Sequence, residues 1–148
     1  MGSVPYQVSF EYYNSHFCGG SILDANNVLT AAHCCDYGSA SSFSVSAGLN
    51  NIDSPESGAQ RSIRVTRANI HPDYDGSGLG NDLCVLNLAT PLTLGTEQRT
   101  AAVKLPAAGY TATGNAVVTG WGTTSSGSGT LPSKLRTVTV PIVSDEKW

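Results

Sequence analysis

The sequence predicts an all-β protein, built as a sandwich or a barrel of short strands. Hydrophobic residues make up 40% of the 148 residues and charged residues only 13%, and Gly, Ser and Thr fill much of the difference. Short apolar runs recur along the chain, and clusters of Gly, Pro, Asn or Ser separate most of them. This composition is typical of many strands joined by turns, and the length suits one domain, or one subdomain and part of a second.

The strands are predicted from these apolar runs in chain order. The clearest alternation is at the C-terminal end, where Val138, Val140 and Ile142 are separated by Thr139 and Pro141, the two-residue period of a half-buried strand. The predicted strands are Tyr6–Phe10, Phe17–Leu23, Val28–Ala31, Phe43–Ala47, Ile63–Val65, Leu83–Leu88, Ala116–Trp121 and Leu135–Val143.

Helix signals are sparse. Only Ala31–Cys35 and a segment starting at Ser144, a suitable N-cap, have a helical character. The Ser- and Gly-rich stretch Thr123–Thr130 is typical of an exposed loop.

The net charge and the lengths of the apolar runs exclude two classes of partner. The net charge is −3, so the chain lacks the basic face that nucleic-acid binding requires. No apolar run approaches the roughly 18 residues of a membrane span. We therefore expect neither nucleic acid nor membrane as a partner.

The cysteines indicate an oxidising compartment. Cys18, Cys34, Cys35 and Cys84 show no CxxC spacing, and no His pair has zinc-finger spacing, which argues against zinc. An even number of cysteines in a chain of low charge favours disulfides and secretion. Residues 1–3 have no signal-peptide character, and we interpret them as a cloning remnant or a truncated start; the alternative is a natural cytosolic start.

The first candidate for chemistry is His33, in the segment LTAAHC. A catalytic His needs one ring nitrogen free and the other held by an acceptor. The second candidate is Asp82, which heads an apolar strand, an expensive place for a carboxylate without a partner. Taken alone, each residue suits a structural role, and for Asp82 this role is that of a strand cap or turn residue. Taken together, the two suit an arrangement in which the Asp82 carboxylate orients the His33 imidazole.

Six segments in fixed order carry a resemblance to a known family. They resemble the trypsin-like serine proteases of the chymotrypsin fold, and the order of His before Asp agrees with that family. The segments are PYQVSF at 5–10, HFCGGSIL at 16–23, LTAAHC at 29–34, IHPDYD at 70–75, NDLCVLNL at 81–88 and VVTGWGTT at 117–124.

The resemblance implies roles for individual residues, since the Ser–His–Asp triad is best known from this same family. His33 would be the general base and acid, and Asp82 the carboxylate that orients it. Cys18 and Cys34 would form the disulfide that brackets the His. The implied fold is an antiparallel double β-barrel, with the first barrel complete over residues 4–100 and the second truncated over 101–148.

The chain contains no GDSGGP motif, which holds the nucleophile in this family. Ser125, Ser126, Ser128 and Ser144 are poor substitutes, because none is expected on a strained turn beside oxyanion donors. We therefore expect the parent protein to be a secreted serine endopeptidase acting on proteins or peptides, with protein inhibitors as further partners, and this chain alone to be inactive. The alternatives are a non-catalytic homologue that binds or regulates, and a fragment without activity.

Cys35 and Cys84 each lie two residues beyond a presumed triad member. Because residues i and i+2 share a face in extended chain, we expect a second disulfide between them, behind the His–Asp pair. The alternative is two buried free thiols.

No cofactor is expected. Calcium, which some relatives bind, would fall in the stretch 49–60, where Asp53 and Glu56 are the only carboxylates and calcium prefers more. His16 and His71 are expected at the surface without a metal. Trp148 stands where the family usually places a Cys.

Overall fold

The computed structural model describes residues 4–49, 60–76, 80–95, 100–121 and 135–142. Strands dominate these residues, and the only helical elements within them are one turn of α-helix and one 3₁₀ turn. In chain order the elements are β1 (Gln7–Tyr12), β2 (Ser15–Asp24), β3 (Asn27–Thr30), α1 (Ala32–Cys35), the 3₁₀ turn Ala40–Ser42, β4 (Phe43–Ala47), β5 (Gln60–Ile70), β6 (Cys84–Leu88), β7 (Asn115–Gly120) and β8 (Arg136–Pro141). The predicted all-β class is confirmed.

The first six strands form a closed antiparallel barrel in the order β1-β2-β3-β6-β5-β4. Pairing of β1 with β4 closes the barrel, with Val8 opposite Ala47 and Phe10 opposite Val45. Closure removes exposed strand edges, so the barrel needs no further strands to satisfy its ladders. It matches the first barrel that the resemblance implied.

The barrel interior is apolar and well covered. Phe10 packs its ring against Phe17 and Phe43 at centroid distances of 4.8 and 4.7 Å, which suits the tilted and edge-on geometry that aromatic rings prefer. Eight of the described apolar residues have no exposed surface: Val8, Phe10, Ile22, Val28, Ala32, Val45, Ala47 and Leu86.

Strands β7 and β8 form a separate two-stranded antiparallel sheet. The alternation along β8 predicted a half-buried strand, and this prediction was wrong for Val138. Its side chain is 55% exposed, and that of its cross-strand partner Val118 on β7 is 52% exposed. Among the described residues no second layer covers that face of the sheet. A side-chain hydrogen bond of 2.7 Å from Thr119 Oγ1 to Gln7 Oε1 links β7 to the barrel.

Strand bounds agree with the predictions to within a few residues, except for β5. The prediction covered Ile63–Val65, whereas the strand has 11 residues, most of them polar and only one of them buried. It extends because its backbone pairs with both β4 and β6. Such pairing depends on tertiary neighbours more than on local apolar pattern.

Several expectations fall outside the described residues, among them the loop at Thr123–Thr130, the helix start at Ser144, the residue Trp148 and the assignment of residues 1–3. The domain limits 4–100 and 101–148 stay a prediction. No helix in the described part of the chain combines the length and apolar character that crossing a membrane requires.

Candidate active site

The pairing of β3 with β6 brings the two candidate residues together. Thr30, the last residue of β3, lies opposite Cys84, the first residue of β6. Since the strands are antiparallel, the chain leaving β3 and the chain entering β6 meet at the same end of the barrel. His33 follows Thr30 by three residues and Asp82 precedes Cys84 by two, so both side chains fall at that end.

Asp82 contacts His33 through both carboxylate oxygens. The ring atom Nδ1 of His33 lies 2.6 Å from Oδ2, and the backbone N–H of His33 donates to Oδ1 at 2.8 Å. A carboxylate that accepts from both the backbone and the ring of one residue fixes the direction in which the ring points. With the Nδ1 proton engaged, the lone pair of the neutral ring lies on Nε2.

The pair is more exposed than the position of Asp82 at the head of an apolar strand suggests. The side chain of His33 is 64% exposed and that of Asp82 34%. The reason is that Asp82 belongs to the loop before β6 rather than to the strand, and loops lie at the surface. The hydrogen bond from the His33 ring, helped by that from the His33 backbone, lowers the pKa of the Asp82 carboxyl below its ordinary value.

Two disulfides flank this contact. Cys18 in β2 is bonded to Cys34, with Cα atoms 6.4 Å apart, and Cys35 is bonded to Cys84, with Cα atoms 6.6 Å apart. In the chain-entropy model, closing loops of these lengths contributes about 3 and about 4 kcal/mol respectively. The structure therefore contains the Cys35–Cys84 bond and not the alternative of two free thiols.

The ligand atoms of Cys18, His33 and Cys34 lie within 4.8 Å of one another. Both sulfurs are bonded to each other, so neither is available as the thiolate that a metal would require. This cluster consequently does not suit a metal ion. The candidate calcium carboxylates Asp53 and Glu56 lie outside the described residues, and the expectation of no cofactor stays a prediction.

Sequence reasoning missed a buried polar network beside the barrel core. Glu11 is only 7% exposed, and its carboxylate accepts hydrogen bonds from Ser9, Ser44 and Ser46 at 3.2, 3.3 and 3.1 Å. The signal was present, because polar residues alternate with apolar ones in the adjacent strands β1 and β4.

The network also corrects the placement of His16. It was expected at the surface, but it is half-buried, with Nδ1 2.7 Å from Ser9 Oγ and its ring edge-on to Trp121 at 5.6 Å. Burial lowers the pKa of His16. His71 is likewise half-buried rather than fully exposed, and its Nδ1 accepts from the Asp73 backbone at 3.0 Å.

Comparison with known proteins gives a consistent result. The family model described as "Trypsin" matches residues 1–148. "Trypsin-1" of Astacus astacus is 42% identical over 152 aligned residues, covering 98% of this chain. "Trypsin Blo t 3" of Blomia tropicalis is also 42% identical, over 96% of the chain. "Trypsin" of Sus scrofa is 38% identical over 97% of it.

The alignments cover only part of each relative. They include 62% of the Astacus protein, 52% of the Blomia protein and 58% of the Sus protein. The chain thus spans little more than half the length of the curated relatives it matches. The match of the family model, the six-stranded barrel and the relatives agree, and the chain belongs to the trypsin family of serine proteases.

Proposed function

We propose that this chain is the His- and Asp-bearing part of a secreted serine endopeptidase that hydrolyses peptide bonds with a Ser–His–Asp triad. The observation that supports it is the contact of 2.6 Å between His33 Nδ1 and Asp82 Oδ2. A catalytic role needs this arrangement, because the general base must be held in one orientation and in one tautomer.

The proposed chemistry follows from the ring geometry. With Nδ1 donating to Asp82, Nε2 of His33 accepts the proton of a serine hydroxyl as that oxygen attacks the peptide carbonyl. The ring is then positively charged, and Asp82 stabilises this imidazolium without accepting its proton. His33 later gives the proton to the leaving amine, and a second cycle with water releases the acid product.

The nucleophile belongs to the GDSGGP motif of the family, and the sequence of this chain does not contain that motif. We accordingly propose that the present polypeptide, tested alone, does not hydrolyse peptides. Ser125, Ser126, Ser128 and Ser144, the other serines considered as substitutes, lie outside the described residues. Substrates of the parent are proteins or peptides, and protein inhibitors are its further proposed partners.

Secretion is proposed from the two disulfides, because such bonds persist in oxidising compartments. Neither a metal nor an organic cofactor enters the proposed reaction.

The experiment compares two polypeptides. The longest product of the gene and this chain alone are purified in oxidised form, then assayed with fluorogenic peptides and with a fluorophosphonate that labels activated serines. We expect stoichiometric labelling and peptide cleavage by the longest product, and neither by this chain. The variant His33→Ala of the longest product is expected to lose labelling.

Two outcomes would contradict the proposal. Absence of labelling and cleavage by a folded, proteolytically processed longest product would support the alternative of a non-catalytic homologue that binds or regulates. Stoichiometric labelling of this chain alone would show that a serine within it acts as the nucleophile.

A further inference from the structure

The feature that goes beyond the proposed triad is the disulfide behind it. Cys35 lies two residues after His33, and Cys84 lies two residues after Asp82, so the hydrogen-bonded pair and the bonded pair have the same sequence separation of 49. Both cysteines are buried, with 2% and 1% of their surface exposed. The disulfide therefore joins, in the protein interior, the same two segments whose His33 and Asp82 side chains meet at the surface.

The segment that holds His33 has little stability of its own. Helix α1 has four residues, and its N-cap Ala31 makes no side-chain hydrogen bond. One turn of helix is below the length at which cooperative hydrogen bonding maintains a helix. Its position consequently depends on attachments to the barrel, of which the disulfides of Cys34 and Cys35 are covalent.

The segment that holds Asp82 precedes the regular strand pairing, and the Leu83 carbonyl in it accepts a hydrogen bond from the His71 N–H at 2.9 Å. Asn81 has a positive φ of 57°, and its side-chain amide reaches the carbonyl of Asp73 at 3.5 Å. The Leu83 N–H closes a tight local turn onto the Asn81 carbonyl at 2.9 Å. Regular pairing of β6 with β3 and β5 starts only at Cys84.

The hydrogen bonds between His33 and Asp82 are not strong enough to fix these two segments. Both side chains are solvent-accessible, at 64% and 34%, and exposed pairs compete with water and are screened by salt. A buried covalent bond does not compete with water and is not screened by salt. The Cys35–Cys84 bond couples α1 to the start of β6 away from water.

We propose that the Cys35–Cys84 disulfide is a positioning device for the His33–Asp82 pair: it holds α1 at a fixed separation from the start of β6, so that the carboxylate stays within reach of Nδ1. This proposal rests on the proposed function, because it assigns the disulfide a part in keeping the general base oriented. The Cys18–Cys34 bond ties α1 to β2 instead and does not touch the segment of Asp82.

The experiment removes each bond in turn. The variants are Cys35→Ala/Cys84→Ala and, as the matched control beside the same histidine, Cys18→Ala/Cys34→Ala. Carbon-detected NMR of the Asp82 carboxyl and nitrogen-detected NMR of the His33 ring report the contact directly in this chain, without requiring protease activity. A purely structural disulfide would lower the unfolding midpoint but leave these two signals unchanged in the folded protein.

We expect the Cys35–Cys84 variant to lose the Nδ1–H signal of His33 to exchange with water and to titrate Asp82 nearer its ordinary range, while the control keeps both signals. In the longest gene product, the same variant should lower kcat about 10- to 100-fold with little change in KM, because misplacement of the base by about 1 Å is that costly. The control should lower kcat less.

Three results would overturn the proposal. The first is unchanged His33 and Asp82 signals in the folded Cys35–Cys84 variant, and the second is equal changes in the control. The third is loss of the barrel in both the Ala pair and a volume-filling Cys35→Val/Cys84→Val pair, because the bond would then be required for the fold in general. Failure of the proposed function is seen separately, as absence of hydrolysis by the longest product with both disulfides intact.

Discussion

The hydroxyl of Ser9 lies 2.7 Å from Nδ1 of His16. The same oxygen lies 3.2 Å from Oε2 of Glu11, so a single hydroxyl joins an imidazole to a buried carboxylate. A hydroxyl has one proton to donate and can also accept. The arrangement is therefore satisfied when Nδ1 of His16 donates to Ser9 and Ser9 donates to Glu11.

Replacing Glu11 is expected to destabilise the barrel. The variant Glu11→Ala removes the acceptor of three hydroxyls, from Ser9, Ser44 and Ser46, and leaves them in a buried site. Unsatisfied buried groups of this kind cost about 1–3 kcal/mol, and we expect a loss of about 2–3 kcal/mol in the free energy of unfolding. Urea denaturation followed by Trp fluorescence would measure it.

Two controls sharpen this measurement. Glu11→Gln keeps one acceptor oxygen and should be less destabilising than the Ala variant. Asp36→Ala removes an exposed carboxylate and should change stability by no more than about 0.5 kcal/mol. Equal denaturation midpoints for Glu11→Ala and Asp36→Ala would contradict the role assigned to the network.

The pH dependence of stability is expected to report His16. Burial lowers its pKa in the folded state, whereas the unfolded chain has the ordinary value of about 6.5. Between these values the unfolded state binds more protons, so the free energy of unfolding decreases as the pH falls below about 6.5. The variant His16→Gln should show a shallower decrease between pH 7.5 and 5.5. A slope as steep as that of the wild type would refute this assignment.

Asp82 should show a dependence in the same direction, at lower pH. Its folded pKa is lowered chiefly by the hydrogen bond from the His33 ring, so its contribution to stability is present above the ordinary value of about 3.9 and is lost as the pH falls through the lower folded value. NMR titration of the carboxyl in His33→Ala should give a higher midpoint than in the wild type. The backbone N–H of residue 33 remains in that variant, so the rise should be partial; no rise at all would contradict the ring as the main cause.

Two adjacent glycines are expected to differ in their tolerance of a methyl group. A Cβ at Gly20 would lie 2.9 Å from Val28 Cγ1 and 3.1 Å from the Leu29 carbonyl oxygen, in a part of the barrel where little can move. A Cβ at Gly19 would lie 2.9 Å from Nε2 at the end of the long Gln7 side chain, which can move aside at the cost of its hydrogen bonds to the Val8 and Gly20 carbonyls. Gly20→Ala should therefore cost about 1–3 kcal/mol, and Gly19→Ala clearly less.

Thermal unfolding of the two glycine variants under identical conditions makes this comparison. A larger loss of midpoint temperature in Gly19→Ala than in Gly20→Ala would show that the contact between β2 and β3 is more adaptable than the barrel geometry implies.

The identity of the two candidate residues could be predicted from the sequence, because a His and an Asp at these positions come with distinctive neighbours. Strand β4 could be predicted to the residue, since its apolar pattern and its flanking turn signals are local. Strand β5 could not, because its polar sequence extends as a strand only through its pairing with β4 and β6. The burial of Glu11 has a partial signal in the polar alternation of β1 and β4, but hydroxyls from the neighbouring strand are what make that carboxylate tolerable in the interior.

The sequence by itself determined the all-β class, the order of motifs and the family, because composition, alternation and motif spacing are properties of the chain alone. The tertiary structure alone decided that the ring of His33 lies 2.6 Å from Asp82 and that Cys35 is bonded to Cys84. Both contacts join residues 49 positions apart. They form because antiparallel pairing of β3 with β6 places the end of one strand beside the start of the other, which no local pattern specifies.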